Sequence, residues 1–338
     1  MSMFHVAISQ LTTSRWDLPE ELARLADHGF DCLSLWRAKL SDIGPAAAAS
    51  LLTGAGMRVS SLQWAGGFTG GDGRTFAESI EDAAEAIETA ASAGAPVLVV
   101  HSGCRGGHTR AHARRLLVQA LKTLAPIAGA AGVTLALKPM HAAAANGCSF
   151  LTRPIDALEL VENAADPAIR MAVDLWQFAD DPDLVRLLPR VATATAIVQV
   201  ADRDGPPTAD LERLPAGHGS LPLESLVLAL VDHGYAGDFE FDPVGDTVAA
   251  LGYERALAET RRIADAWTAA VEERLLWSRA TAAVWQTAGL RLAAASASGT
   301  PLDQRLWPTA WSGVPFGGQF RSAGSRRSQA SSQTVSRS

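Results

Sequence analysis

Residues 96–139 read PVLVVHSGCRGGHTRAHARRLLVQALKTLAPIAGAAGVTLALKP. Two apolar runs, Pro96–His101 and Val133–Pro139, flank Arg110–Ala130, where apolar residues recur at the three- and four-residue spacing of one helical face. Gly132 stands where a left-handed cap closes a helix. With no hairpin turn between them, the two runs read as parallel strands joined by a crossover helix.

The same unit repeats outward in both directions. Further strand-like runs lie at His5–Thr12, Cys32–Trp36, Val59–Trp64, Met171–Trp176, Ala196–Ala201 and Phe239–Pro243. Helical patterning fills Leu18–His28, Phe76–Ala93, Ile155–Ala164, Pro182–Val191 and Leu223–His233. Asp17 precedes Leu18-Pro19 with Glu20 and Glu21 in the first turn, a helix-start signal. Eight strand–helix units over about 265 residues predict an α/β fold, a closed (β/α)8 TIM barrel. An open doubly wound sheet would want a GxGxxG turn after an early strand, and none is there; Gly66-Gly67 and Gly70-Gly71 read as a flexible loop. The barrel is assigned to residues 1–266, an extra helix carrying Trp277 and Trp285 to 267–295, and a Ser-, Gly- and Arg-rich disordered tail with Trp307 and Trp311 to 296–338.

Composition narrows the function classes. A net charge of −7 disfavours a nucleic-acid partner, whose phosphates call for a basic surface. No apolar run approaches the roughly 20 residues that cross a bilayer, and the N-terminus lacks a signal-peptide pattern, so a cytoplasmic protein is expected. Cys32, Cys104 and Cys148 are widely spaced and suggest neither disulfides nor a zinc knuckle. Only Lys39, Lys122 and Lys138 among 29 basic residues are lysines, which singles out any lysine in a pocket. A small-molecule substrate is the expected partner, with a homodimer through the outer helices as a further expectation.

Catalytic groups of such a barrel sit at the C-terminal strand ends. Those positions hold Gln10, Trp36, Arg37, Gln63, Trp64, His101, Lys138, His141, Asp174, Gln177, Gln199, Asp202, Arg203, Glu240 and Asp242. So many polar groups suit a sugar-sized polar ligand, with Trp36, Trp64 and Trp176 as flat walls against a ring. His108 and His112, four apart among arginines, read as a solvated basic turn rather than a metal pair.

VLVVHSG (97–103), VTLALKPMH (133–141), MAVDLWQF (171–178), VQVADRD (198–204), LPAGHGSLPLESL (214–226) and HGYAGDFEFD (233–242) together resemble the xylose-isomerase-like barrels, a group of sugar and sugar-phosphate isomerases and epimerases with related endonucleases and dehydratases. The resemblance implies a divalent metal held by Glu, Asp, His and Glu from the last four strands. Carried over by position, this chain offers Lys138, Asp174, Gln199 and Asp242, and Gln177 where a substrate-handling His is common. An ammonium repels a divalent ion and an amide is a poor substitute for imidazole. No cofactor is therefore expected; if Mn2+, Mg2+ or Zn2+ bound at all, Asp174 and Asp242 would hold it. The endonuclease activity is not expected, because its metal-binding histidines and carboxylates are missing.

Three readings of Lys138 stay open. It could stabilise an enolate-like oxyanion while Asp174, Asp242 or His101 moves protons. It could form a Schiff base, which flanking carboxylates disfavour by keeping it charged. It could make a structural ion pair in a silent barrel. The leading expectation is an isomerase, epimerase, lyase, dehydratase or cyclase that abstracts a proton beside a carbonyl, metal-independent, with Lys138 in the metal's place. Trp36, Gln63, Trp64, His141, Gln177, Gln199, Asp202 and Arg203 would bind substrate. A catalytically silent barrel that binds a ligand or partner is the alternative.

Overall fold

Alternating apolar strands and amphipathic helices fold as their order dictates. In the computed structural model, which describes residues 4–145 and 147–297 (from 278 onward as backbone only), the eight strands close into a parallel barrel in chain order. The first half runs β1 His5–Ser9, α1 Leu18–Asp27, β2 Cys32–Trp36, α2 Arg37–Ser41, α3 Pro45–Gly54, β3 Arg58–Gly66, α4 Phe76–Ser92, β4 Val97–His101 and α5 Arg110–Ala130. The second runs β5 Thr134–Lys138, α6 Pro154–Ala164, β6 Ile169–Asp174, α7 Leu175–Phe178, α8 Pro182–Ala194, β7 Thr195–Val200, α9 Leu223–Asp232, β8 Asp238–Phe241, α10 Asp246–Leu251 and α11 Tyr253–Ala297.

β1 pairs with both β2 and β8, which seals the barrel. Because successive strand residues face opposite ways, Leu98 and Val100 pack outward against the helices while Val97, Val99, Ala136, Ala172 and Ile197 fill the interior. Two residues further along the same strands, the inward positions become His101, Lys138, Asp174 and Gln199. A small apolar plug thus supports a polar layer at the C-terminal mouth.

Two boundaries differ from the sequence reading in ways that matter. Asp174, at the end of β6, accepts from Trp176 N at 3.0 Å and caps α7, so Trp176 lies on a helical turn instead of ending the strand. The extra helix expected over 267–295 is the continuation of α11. Gly66 and Gly67 are pinned instead of loose: Gly67 N donates to His101 O at 3.3 Å, and a Cβ on Gly66 would collide with that carbonyl. Beyond Ala297, the tail and its Trp307 and Trp311 lie outside the described residues. Among the described residues no helix is long and apolar enough to cross a membrane.

Candidate active site

Strand register sets the site. His101 pairs with Lys138, Asp174 with Gln199, and Gln199 with Glu240. Across the mouth, Lys138 Nζ lies 2.8 Å from Asp174 Oδ2 and donates to Gln199 Oε1. Gln199 Nε2 donates in turn to Glu240 Oε2 at 3.3 Å. Of the two aspartates, Lys138 forms its ion pair with Asp174. Asp242 is held by Arg213, a residue that the strand-end reading passed over.

Arg213 arrives from the loop between β7 and α9. Reciprocal backbone hydrogen bonds, Asp202 with Leu214 and Arg213 with Val244, all 2.8 to 2.9 Å, fold that segment back over the mouth. The guanidinium then donates to Asp174 Oδ2 at 3.0 Å, to Asp174 Oδ1 at 2.9 Å and to Asp242 Oδ1 at 2.6 Å. Trp176 lies beneath it with the ring centroid 5.2 Å from Cζ, fully buried, its Nε1 donating to Glu212 O at 2.8 Å. The expected flat wall for a ligand is therefore a platform for Arg213. One arginine among so many is invisible in the sequence, whereas Lys138 stands out by rarity.

Electrostatics follow from burial. Burial alone would raise the Asp174 carboxyl, but the charges of Arg213 and Lys138 outweigh it and hold the group below the ordinary carboxylate range. Asp242 is pushed the other way, burial prevailing over Arg213. Glu240 is pushed up to about 7 by burial, against hydrogen bonds from Ser61 and Ser60. Gln63 Nε2 also donates to Glu240, at 3.1 Å. Burial and then the charge of Lys138 drive His101 down to about 3, so its imidazole is neutral. His101 Nδ1 is buried and has no hydrogen-bond partner among the described residues.

His101 stacks on Trp64, ring centroids 5.6 Å apart and 7° between planes. Both line a cavity of about 310 Å3 over the ends of β3 and β4. Its charged rim is balanced: Arg37 and Arg74 face Asp72 and Asp82 at 2.7 to 3.0 Å.

The remaining residues expected to bind a ligand make hydrogen bonds within the mouth. Trp36 N donates to Gln10 Oε1 at 2.8 Å, and His141 N to Gln177 Oε1 at 2.9 Å. Asp202 accepts from the backbone of Arg203, Gly217 and Leu221. Arg203 donates to Trp176 O at 2.7 Å and to Asp180 Oδ1 at 2.6 Å, so the Asp202–Arg203 pair is buried in the loop that carries Arg213. A second buried pair went unread in the sequence: Lys39 Nζ sits 2.9 Å from Glu21 Oε2, which also accepts from Gln10.

The donor set does not fit a divalent cation. Both oxygens of Asp174 already accept from cationic groups, and Arg213 occupies the approach between the two aspartates. Among the described residues no three His, Cys, Asp or Glu side chains converge as metal ligands.

Residues 22–268 match the family model described as xylose isomerase-like TIM barrel. No curated protein matches the sequence. Solved structures with the same fold include a protein from Sinorhizobium meliloti 1021, 24% identical with a TM-score of 0.71, covering 77% of this chain and 97% of that one. An IolI protein with a bound zinc atom is 18% identical with a TM-score of 0.69, covering 79% and 99%. An L-ribulose 3-epimerase is 17% identical with a TM-score of 0.66, covering 81% and 98%. At these identities the likeness establishes the fold, and the family match spans most of the chain: it belongs to the xylose isomerase-like TIM barrel family.

Proposed function

We propose that this chain is an isomerase- or lyase-type enzyme that abstracts a proton beside the carbonyl of a small polyhydroxylated or keto compound, without a tightly bound metal. The observation that carries this reading is the contact of Lys138 with Asp174 and Gln199, next to His101 in the wall of the mouth cavity. Lys138 supplies the fixed positive charge that stabilises the oxyanion formed as the proton leaves. The ion pair with Asp174 disfavours the Schiff-base role, which needs a free amine.

His101 is suited to the carbonyl oxygen. A buried ring nitrogen without a partner costs less as a bare acceptor than as an orphaned N–H. That places the proton on Nε2, where a neutral donor can polarise a carbonyl. Glu240 and Asp242, raised towards neutrality, are the acids able to exchange a proton near neutral pH. A chain of hydrogen bonds from Glu240 through Gln199 and Lys138 to Asp174 connects Glu240 to the mouth, and Arg213 joins Asp242 to the same Asp174. The epimerase named among the structural neighbours supports the isomerising class.

One observation favours the silent-barrel reading. Lys138 and Arg213 balance Asp174 and Asp242 within the protein, an arrangement that needs no ligand to complete it. Incubation with ketoses and keto acids in D2O separates the two. Deuterium entering the carbon beside the carbonyl, seen by NMR and lost in Lys138→Ala and Asp174→Asn, supports the enzyme. Absence of exchange throughout the panel, with both variants binding its members as the wild type does, supports the silent barrel.

A further inference from the structure

A second cavity, of about 360 Å3, adjoins the one at Trp64 and His101; Cys104 and Gly147 line both. It lies between the loop that follows β4 and the loop that follows β5. The two chains there are tied by Gly103 N donating to Cys148 O at 3.0 Å and by a parallel bridge between Gly103 and Ser149. Phe150, nearly fully buried, is among its lining residues. The wall brings Arg105 and Arg110 together with the hydroxyls of Ser149 and Thr152.

The charge in this wall is unlike that of its neighbour. The cavity at Trp64 carries two arginines and two aspartates in mutual contact. Among the described residues, the wall at Arg105 carries two arginines and no carboxylate. The Arg105 side chain has no ion pair or hydrogen bond among the described residues. Arg110 reaches Asp156, outside the lining set, only at 3.7 Å, and Thr152 Oγ1 at 3.5 Å. In a chain of net charge −7, a concave surface that gathers two guanidinium groups, with Asp156 3.7 Å from one of them, is a local reversal of sign. Planar guanidinium forks match the oxygens of carboxylate or phosphate two at a time. Ser149 Oγ is engaged with Ser102 and Leu151, which leaves the two arginines and Thr152 to face an occupant.

We propose that this cavity holds an anionic group, carboxylate or phosphate, of the compound whose carbonyl lies against His101. The substrate class is then an acid or a phosphate ester instead of a neutral sugar. The assignment of the carbonyl end rests on the function proposed above; the anion site itself rests only on this wall. Two adjoining cavities with different charge divide the work. The arginine wall fixes the inert end by charge, and the balanced cavity leaves the reacting end free of a competing anion site.

Isothermal titration of the full chain with inorganic phosphate, and separately with malonate, tests the anion site without requiring turnover. The wild type is expected to bind at least one of them. Arg105→Gln and Arg110→Gln should each weaken it about tenfold or more, the worth of one charge-assisted hydrogen bond. Arg190→Gln, an exposed arginine paired with Glu162, removes the same charge elsewhere and should leave binding unchanged. Preference for phosphate over malonate identifies a phosphate ester, and the reverse an acid. Equal binding in the wild type and all three variants, or no binding of either anion by the wild type, overturns the proposal. Lys138→Ala is expected to bind the same anion normally. If it does so while no keto compound exchanges deuterium, the catalytic reading falls and the anion site stands.

Discussion

Asp174 and Asp242 share one guanidinium, with Arg213 Nη2 2.9 Å from the first carboxylate and 2.6 Å from the second. Two buried acids facing each other would repel. Arg213 cancels that repulsion and, through its bond to Asp242 O at 3.2 Å, also ties down the chain after β8. Arg213→Met should cost about 3–5 kcal/mol, the penalty of leaving buried charge unpaired. Arg213→Lys, which keeps the charge but not the fork, should cost less. Urea unfolding at neutral pH measures both, and equal stability of all three proteins would refute the bridging role.

Glu240 gives the fold a pH dependence of known sign. Its carboxyl is raised from 4.5 to about 7, so between those values the folded protein holds a proton that the unfolded chain has released. Stability contributed by this group is complete below the lower value and declines as pH rises through the upper one. Glu240→Gln removes the titration without losing the contacts. Its amide NH2 can donate to Ser60 and Ser61, while its carbonyl accepts from Gln63 and Gln199, as Glu240 Oε2 does now. The variant should gain stability relative to the wild type on moving from acid to alkaline solution, by on the order of 3 kcal/mol above both values. Parallel stability curves would show that Glu240 does not titrate there.

The barrel was legible because strand runs and helical periodicity are local: all eight strands announce themselves, while the helix Pro45–Gly54 after β2 does not. Lys138, Asp174 and Asp242 were legible because strand ends are where such a fold exposes chemistry. Arg213 was not, since its position depends on backbone bridges between Asp202, Leu214 and Val244, contacts made by a loop far along the chain. For the same reason the contacts of Asp202 and Arg203 within that loop were not foreseen when they were read as substrate ligands. Trp176 was misplaced by two residues, because Asp174 ends the strand by capping the next turn with its own side chain.

Gly219, in the stretch LPAGHGSLPLESL that carries the family resemblance, has a physical reason to be glycine. A Cβ there would lie 2.5 Å from both Arg203 O and Asp202 Oδ1. The carbonyl belongs to backbone and the carboxylate is fixed by three amides, so neither can yield cheaply. Gly219→Ala should destabilise by about 1–3 kcal/mol and loosen the loop that delivers Arg213. Thermal unfolding, with hydrogen exchange at Gly217 and Leu221 amides, reads both effects; unchanged exchange at those amides would break the proposed link.

His101 should be silent in titration. With its imidazole held down to about 3, its Cε1 proton resonance should not shift between about pH 5 and 8, where an ordinary histidine does. The sign on stability is the usual one for a depressed histidine. Its contribution is present above 6.5 and is lost as pH falls towards 3, because the unfolded chain takes up the proton first. His101→Gln should therefore soften acid unfolding while lowering deuterium exchange into substrate. A pH–rate limb that follows His101 through neutrality would contradict the neutral-donor role.

Lys138→Glu asks whether charge balance keeps a metal out. With both acids ionised, Lys138 and Arg213 offset Asp174 and Asp242, and the cluster is neutral. Replacing the ammonium with a carboxylate leaves three acids against one guanidinium. It also restores a carboxylate where the family resemblance places the first metal ligand. Such a site lowers its energy by taking up protons or a divalent cation. The variant should lose deuterium exchange and gain Mn2+ binding, read by electron paramagnetic resonance of free Mn2+ under conditions in which the wild type leaves the ion in solution. Mn2+ binding by the wild type at one ion per chain would mean that the aspartates can release Arg213 and Lys138, and the electrostatic role of the lysine would pass back to a metal.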